Sequence, residues 1–392
     1  MFDLTAMDAT YDATSLKESL AQGIIADMPS KDVYANGSLI DKDAYYQTIA
    51  SAVTATGWSN ECSVKYGVAV AQTQIRSIPS PHFIGYSATD SDDEVTSSAL
   101  RVNEPFVIKQ VATVGGQTFY YGYSNNVPGW VASSDIAICD TKAQWLDAWQ
   151  TSLTGNDFIV VTGDYFTLSE SVYSRASSGL KLTMGTTLKL VPDSSIPRNI
   201  AMRGTWNNYV VYIPTRKADG GYEKQMALIA QNKPVNEGYL PLTSNNMLSL
   251  AFSYLGDTYG WGGMLDSVDC SLYVRNIYKC FGLEMPRNTN WQQSVAGTKA
   301  DISAYDAATK AALISKCAPG TPLYMSGHTM IYIGTVDGVN YCISALGSVA
   351  DSAGYVDVVT ENSVTITSLL VRRRNGSTWL ENITSAVIPW VI

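Results

Sequence analysis

The sequence is poor in charge: Asp, Glu, Lys and Arg make up only 16% of its 392 residues, against a usual share of about 25%. The shortfall is greater for cations, since 26 Lys and Arg face 35 Asp and Glu for a net charge of −9. Such a chain lacks the clustered Lys and Arg through which proteins displace counterions from nucleic acid or settle on anionic membranes, so neither is an expected partner. The one basic cluster, Arg372-Arg373-Arg374, reads as a solvated strand face. No run of about 18 apolar residues is present, which removes a membrane-spanning helix from consideration. Met1-Phe2-Asp3-Leu4 lacks the basic start and apolar core of a signal peptide, so the expectation is either an intracellular protein or a mature form shorn of its leader. Six cysteines (Cys62, Cys139, Cys270, Cys280, Cys317 and Cys342) lie scattered without CxxC pairs. That spacing argues against a zinc site or a disulfide scaffold and leaves most of them as buried thiols. Histidine is scarcer still, with only His82 and His328.

What the chain does have is apolar and aromatic material, 46% hydrophobic residues with 24 Tyr and 9 Trp, enough for several packed cores. Uncharged, Tyr-rich surfaces suit carbohydrate and peptide contacts. The pattern predicts a multi-domain α+β protein. Residues 1–90 read as a helical N-terminal segment, with helices over Ser15 to Ala26 and Lys42 to Ala55. Residues 91–145 alternate in short segments separated by Gly and Asn turns, as in a small SH3-like β-barrel closed by Gly129-Trp130-Val131. A helix over Thr141 to Ser152 leads into a second strand-rich stretch within 146–238, read as a second SH3-like barrel or an extension of the first. Thr186 to Val191 and Tyr209 to Ile213 are strands in it. The last domain, 239–392, opens with a helix capped by Thr243 or Ser244.

Chemistry concentrates in that last domain. Tyr259-Gly-Trp-Gly-Gly-Met-Leu-Asp-Ser-Val-Asp-Cys270 places a cysteine after a Gly-rich turn and ahead of a run in which Tyr273, Val274, Ile277 and Tyr278 recur at helical spacing. Cys270 is thus expected at a helix N-terminus, where unpaired N–H groups and the helix dipole lower a thiol pKa and can hold an oxyanion. A thiolate nucleophile needs a base that later protonates the leaving amine, and histidine suits both tasks. His328 opens the strand-like run His328-Thr-Met-Ile-Tyr-Ile-Gly, followed by a hairpin signal, Asp337-Gly338. His82, between Pro81 and Phe83, lacks such a setting. A cysteine followed by a histidine is weak evidence alone, because buried free Cys and structural His account for most such residues.

The flanking motifs carry more weight. Tyr259-Gly-Trp-Gly-Gly, Asp269-Cys270-Ser271, Gly282-Leu-Glu-Met-Pro286-Arg287 with Gln292 or Gln293, and Gly327-His328-Thr-Met-Ile-Tyr-Ile-Gly334 match in order and spacing across nearly all of residues 241 to 392. Together they resemble the NlpC/P60 family of cysteine peptidases. Upstream, Arg76-Ser-Ile-Pro79, Gly129-Trp130-Val131 and Leu240-Pro-Leu-Thr-Ser-Asn-Asn are similar to the arrangement of an N-terminal stabilising segment and two bacterial SH3-like domains. The resemblance implies a papain-like domain hydrolysing the D-γ-glutamyl-diaminopimelate or -lysine bond of peptidoglycan stem peptides, in the cell envelope and without a metal or organic cofactor. It implies Cys270 as nucleophile and His328 as base, with Tyr259, Trp261, Asp269 and Ser271 as substrate-binding residues. Each of the last three has a plain structural reading too: Asp269 can cap the Cys270 helix, Ser271 can be a first-turn residue and Trp261 a core residue. Tyr120, Tyr121 and Tyr123 of the first barrel are candidate substrate contacts, at least one of them with a core or pairing role.

Two positions depart from the family pattern. The third polar residue, often His, is replaced by Ser344 in Asn340-Tyr-Cys-Ile-Ser344. A bulged three-residue turn at Gly338 would face Ser344 toward His328 and let it accept the Nδ1 proton, whereas a two-residue turn would point it away. Leu272 stands where a glycine is common. A catalytically weak or inactive wall-binding scaffold and a thiol acyltransferase on the same fold are the alternatives.

Overall fold

A computed structural model describes residues 1–55, 63–350 and 358–389; Cys62 lies outside the described residues. The chain forms two compact units: Met1–Ser152 with Asp157–Ile159 and Phe166–Lys233, and Leu153–Asn156 with Val160–Tyr165 and Pro234–Ile392.

In the first unit the two expected helices are present as Ala13–Ala26, capped by the Asp12 carboxylate, and Lys42–Ala55. They pack on each other and on the long strand Pro105–Val114. That strand is third in a seven-stranded antiparallel sheet ordered Ile136–Cys139, Lys65–Ala69, Pro105–Val114, Gln117–Tyr123, Pro128–Ala132, Thr73–Arg76, Thr96–Leu100. Residues 1–90 are therefore not wholly helical, because Lys65–Ala69 and Thr73–Arg76 enter this sheet. Among the described residues the pairing order of this sheet has two ends. Trp130 fills the core under the Lys42–Ala55 helix, fully buried among Ile49, Val53 and Phe119. The preceding Gly129 is required: a Cβ there would lie 2.7 Å from the Arg76 carbonyl oxygen, so only glycine lets the strands approach. Tyr120 is buried with Ile108 and Phe106, and Tyr121 packs on Trp130 at 5.3 Å between ring centroids, so both are occupied by their own sheet. Tyr123 packs on Phe2 at 5.1 Å.

The helix expected from Thr141 runs Lys142–Trp149, its first turn capped by the Thr141 hydroxyl. In the second strand-rich stretch the main feature is one hairpin, Asn208–Arg216 against Tyr222–Ala230, with a small core of Val191, Val210 and Leu228. No second closed barrel is formed among the described residues.

The second unit is built on a six-stranded antiparallel sheet ordered Gly297–Asp301, Ile383–Pro389, Pro322–Met325, His328–Val336, Val339–Ala350, Val358–Ser368. Leu323, Met330, Tyr332, Cys342, Leu346 and Trp379 pack into its core, each such burial worth about 1.5–3 kcal/mol. The helix Cys270–Lys279 lies on the His328–Val336 strand. Its apolar stripe was legible, but its polar side is buried as well: Arg275 meets Glu284 at 3.7 Å and Asn276 donates to the Tyr254 hydroxyl at 3.1 Å. No helix among the described residues is long and apolar enough to cross a membrane.

Candidate functional site

The Gly-rich turn begins the site. After Tyr259, a Cβ at Gly260 would fall 2.2 Å from the Met264 carbonyl oxygen, and Gly262 and Gly263 take φ of 65° and 90°. The chain can coil this tightly only without side chains there. The coil brings the Gly262 N–H to within 3.0 Å of the Asp269 carboxylate. Asp269 is the N-cap of the Cys270–Lys279 helix, accepting from the Leu272 N–H at 3.0 Å. Its two oxygens also receive both Arg287 Nη groups, one at 3.1 Å and the other closer still. The Ser271 hydroxyl donates to Asp269 at 3.2 Å and accepts from Arg287 at 2.8 Å. Burial alone would raise the Asp269 carboxyl, but the Arg287 guanidinium and the surrounding donors hold it below the usual carboxylate range. Gln292 resolves the choice between two neighbouring glutamines: fully buried, it donates to the Ser271 and Pro286 carbonyl oxygens, at 2.8 Å each.

Cys270 sits half-buried on the first turn above this network. The Thr289 hydroxyl lies 4.0 Å from its Sγ, and both it and the backbone N–H of Thr329, the residue after His328, act to lower the thiol. Burial, then the Asp269 carboxylate, pushes the thiol up to about 11. His328 is half-buried too. Burial pushes its imidazole down to about 4, Arg373 adds to the shift, and Asp269 opposes it. The helix N-terminus therefore does not by itself make a resting thiolate here: between those two values both groups are neutral.

Ser344, fully buried on the next strand, has its Oγ 3.1 Å from His328 Nε2. The expected partner atom was Nδ1; Nε2 takes that place and leaves Nδ1 unengaged by Ser344. The turn is the tight two-residue one, with Val336 paired to Val339 and Asp337 and Gly338 at φ of 50° and 77°. That turn alone would face Ser344 away. A β-bulge between Tyr332 and Gly334 inserts Ile333 into the ladder and restores the parity.

Tyr259 is half-buried, its N–H bonded to the Asn362 carbonyl oxygen at 2.7 Å. Trp261 is 43% exposed and not a core residue. Asp269 and Ser271 face inward, with their side-chain oxygens engaged by protein donors. His82 belongs to the first unit, its Nδ1 3.0 Å from the Tyr45 hydroxyl. The sequence reading gave no role to Thr289, Arg373 or Trp379. Thr289 follows the Pro286-Arg287 motif, which is the signal that could have found it. Of Arg372-Arg373-Arg374, Arg372 is bridged as a strand residue to Ala350 and Thr378, while Arg373 opens a turn closed by hydrogen bonds between Arg373 and Ser377 and between Gly376 and Arg373, at 2.8 Å each. Among the described residues no cluster of His, Cys, Asp and Glu could hold a metal ion.

No curated protein matches this chain. Among solved structures, an NlpC/P60 endopeptidase from Photobacterium damselae subsp. piscicida is similar in fold, with a TM-score of 0.74 at 16% identity over 95% of this chain and 84% of that one. An NlpC/P60 family protein from Bacillus cereus ATCC 10987 matches with a TM-score of 0.48 at 18% identity, over 75% and 82% of the two chains. The NlpC/P60 family model matches residues 256–383, the span holding the Gly-rich turn, Cys270, His328 and Ser344: the C-terminal part of this chain is an NlpC/P60 domain.

Proposed function

We propose that the chain is a cysteine endopeptidase acting on cell-wall peptides, cleaving the amide between D-γ-glutamate and diaminopimelate or lysine. The observation that carries the catalytic reading is the half-buried thiol at the N-terminus of a helix that packs on the strand opened by His328. Cys270 is the nucleophile and His328 the base, with Ser344 the third member through Nε2. Because both groups rest neutral, the proton passes from Sγ to His328 as the C–S bond forms, rather than before it. First-turn N–H groups hold the developing oxyanion. His328 then gives the proton to the leaving amine as the C–N bond breaks. A water, deprotonated by His328, attacks the thioester, and the departing sulfur recovers the proton. This chemistry is complete without a cofactor.

Tyr259 and the exposed Trp261 line the approach to Cys270 in this proposal. Asp269 and Ser271 are reassigned from direct substrate contact to support of the helix end, because Arg287, Gly262 and Leu272 already occupy them. For the rest of the chain we infer a stabilising segment within 1–90 and SH3-like modules within 91–145 and 146–238, with the strands Lys65–Ala69 and Thr73–Arg76 added to the first module. An envelope location follows from the substrate. The catalytic domain is then 239–392, with stem peptides as its partner.

The test is digestion of L-Ala-γ-D-Glu-diaminopimelate, free and wall-attached, followed by mass spectrometry, for the native protein and Cys270→Ala. The expected result is release of diaminopimelate from the free peptide by the native protein alone. Ser344 favours a second reading, a weak or inactive scaffold, since a hydroxyl is a poorer partner for imidazolium than a carboxylate. Absence of cleavage with retained sedimentation on cell walls would establish that reading instead.

A further inference from the structure

His328 is held on more sides than its triad requires. The segment from Val371 to Trp379 folds over it as a short clasp. Arg372 pairs with Ala350 at one end and Thr378 at the other. The Trp379 N–H bonds to the Val371 carbonyl oxygen at 2.9 Å, and a capping box between Thr378 and Glu381 fixes the helix turn that carries Trp379. From this clasp one side chain packs on the histidine and another holds the turn before it. The Trp379 indole, only 4% exposed, packs on the imidazole with ring centroids 4.8 Å apart. Arg373 donates from Nη1 to the Ser326 carbonyl oxygen at 3.2 Å, anchoring the two-residue turn that leads into His328.

We propose that Trp379 and Arg373 are positioning residues for His328, holding its ring plane and the turn that leads into it where Ser344 alone secures the ring weakly. A serine hydroxyl holds one ring nitrogen with a single bond that either partner can donate, so it fixes neither tautomer nor ring plane as a carboxylate does. The packed indole restricts the ring plane. The guanidinium disfavours the imidazolium, in the same direction as burial. The other charged group acting on His328 is Asp269, beneath the cysteine, which favours protonation. Of the remaining neighbours, Cys270 rests neutral and Ser344 does not titrate. The inference rests on the peptidase reading for its purpose, but its physical content can be measured without turnover.

With only two histidines in the chain, ring NMR of the full-length protein is clean, and His82→Asn assigns the remaining signals to His328. Native His328 is expected as a single neutral tautomer with a midpoint far below the ordinary 6.5. In Arg373→Met the midpoint rises by about half a unit or more, and Arg373→Lys keeps it near the native value. In Trp379→Leu the nitrogen shifts report mixed tautomers and kcat falls about tenfold with KM unchanged, whereas Trp379→Phe stays within about threefold of native. Circular dichroism shows whether each variant is folded, and the phenylalanine and lysine variants carry the test if the others are not. An unmoved midpoint in Arg373→Met, a lowered kcat in Trp379→Phe equal to that of Trp379→Leu, or an unchanged tautomer in Trp379→Leu overturns the proposal. If the native chain cleaves nothing, the peptidase reading fails and the titration still decides the clasp.

Discussion

Single residues in this site do two kinds of work, and their substitution separates them. Ser344 Oγ lies 3.1 Å from Nε2 of His328, so Ser344→Ala removes one hydrogen bond worth about 1 kcal/mol. We expect kcat on the stem peptide to fall about fivefold, with KM and thermal stability little changed. A loss of about a thousandfold would mean instead that Ser344 takes part directly in proton transfer. Arg287 does structural work: it neutralises a carboxylate that is buried on all sides. Arg287→Met leaves that charge unpaired, which costs about 3–5 kcal/mol. Arg287→Lys recovers little, since an ammonium cannot reproduce the two-pronged contact. Denaturant titration reads both, and a cost under about 1 kcal/mol in Arg287→Met would show that Asp269 is held by the Gly262 and Leu272 N–H groups alone.

At the scale of elements, the hairpin carrying His328 and Ser344 shows which features could be read from sequence. Asp337-Gly338 announces a hairpin turn but leaves its length open between two residues and three; the structure has the two-residue form, with both positions at φ above zero. Gly338→Val, with its φ of 77°, should therefore destabilise the domain by about 1–2 kcal/mol while leaving kcat per folded molecule unchanged. A chevron or melting curve beside an active-site titration checks this, and a lost kcat at full folding would tie the turn to the site. The bulge at Ile333 was not legible, because a bulge depends on how two strands settle against the core rather than on a local residue signal. Yet the bulge is what faces Ser344 toward His328. The same division holds elsewhere. Helix starts at Thr243 and Asp269 were legible from capping chemistry. That Lys65–Ala69 joins Pro105–Val114 was not, since pairing across so long a separation leaves no local trace. Cys270 and His328 were legible through their motifs, but Arg373 and Trp379 come near His328 only through the return of the chain after the last long hairpin.

For the molecule as a whole, ionisation couples the site to stability through two groups of the C-terminal unit that pull in opposite directions. His328 has its folded value lowered from 6.5 to about 4, so in that interval the unfolded chain binds more protons. Its contribution is full above 6.5 and is lost as pH falls through 4. Asp257, half-buried on the loop after Tyr254, is raised from 3.8 to about 6 by burial and by the nearby Asp164. There the folded form binds the extra proton, so this group's contribution weakens as pH rises from 3.8 through 6. Across the shared window the two slopes oppose, and the native domain should show a nearly flat urea midpoint between pH 4.5 and 6. Asp257→Asn removes the opposing slope. In that variant the midpoint of the C-terminal unit should climb with pH over the same interval, and the double variant Asp257→Asn with His328→Gln should be flat again. A single Asp257→Asn variant whose midpoint stays level would mean that His328 titrates near its ordinary value in the folded protein. The neutral resting pair at Cys270 would then give way to a histidine that is substantially protonated at mildly acid pH, and the proton for the leaving amine would be in place before attack.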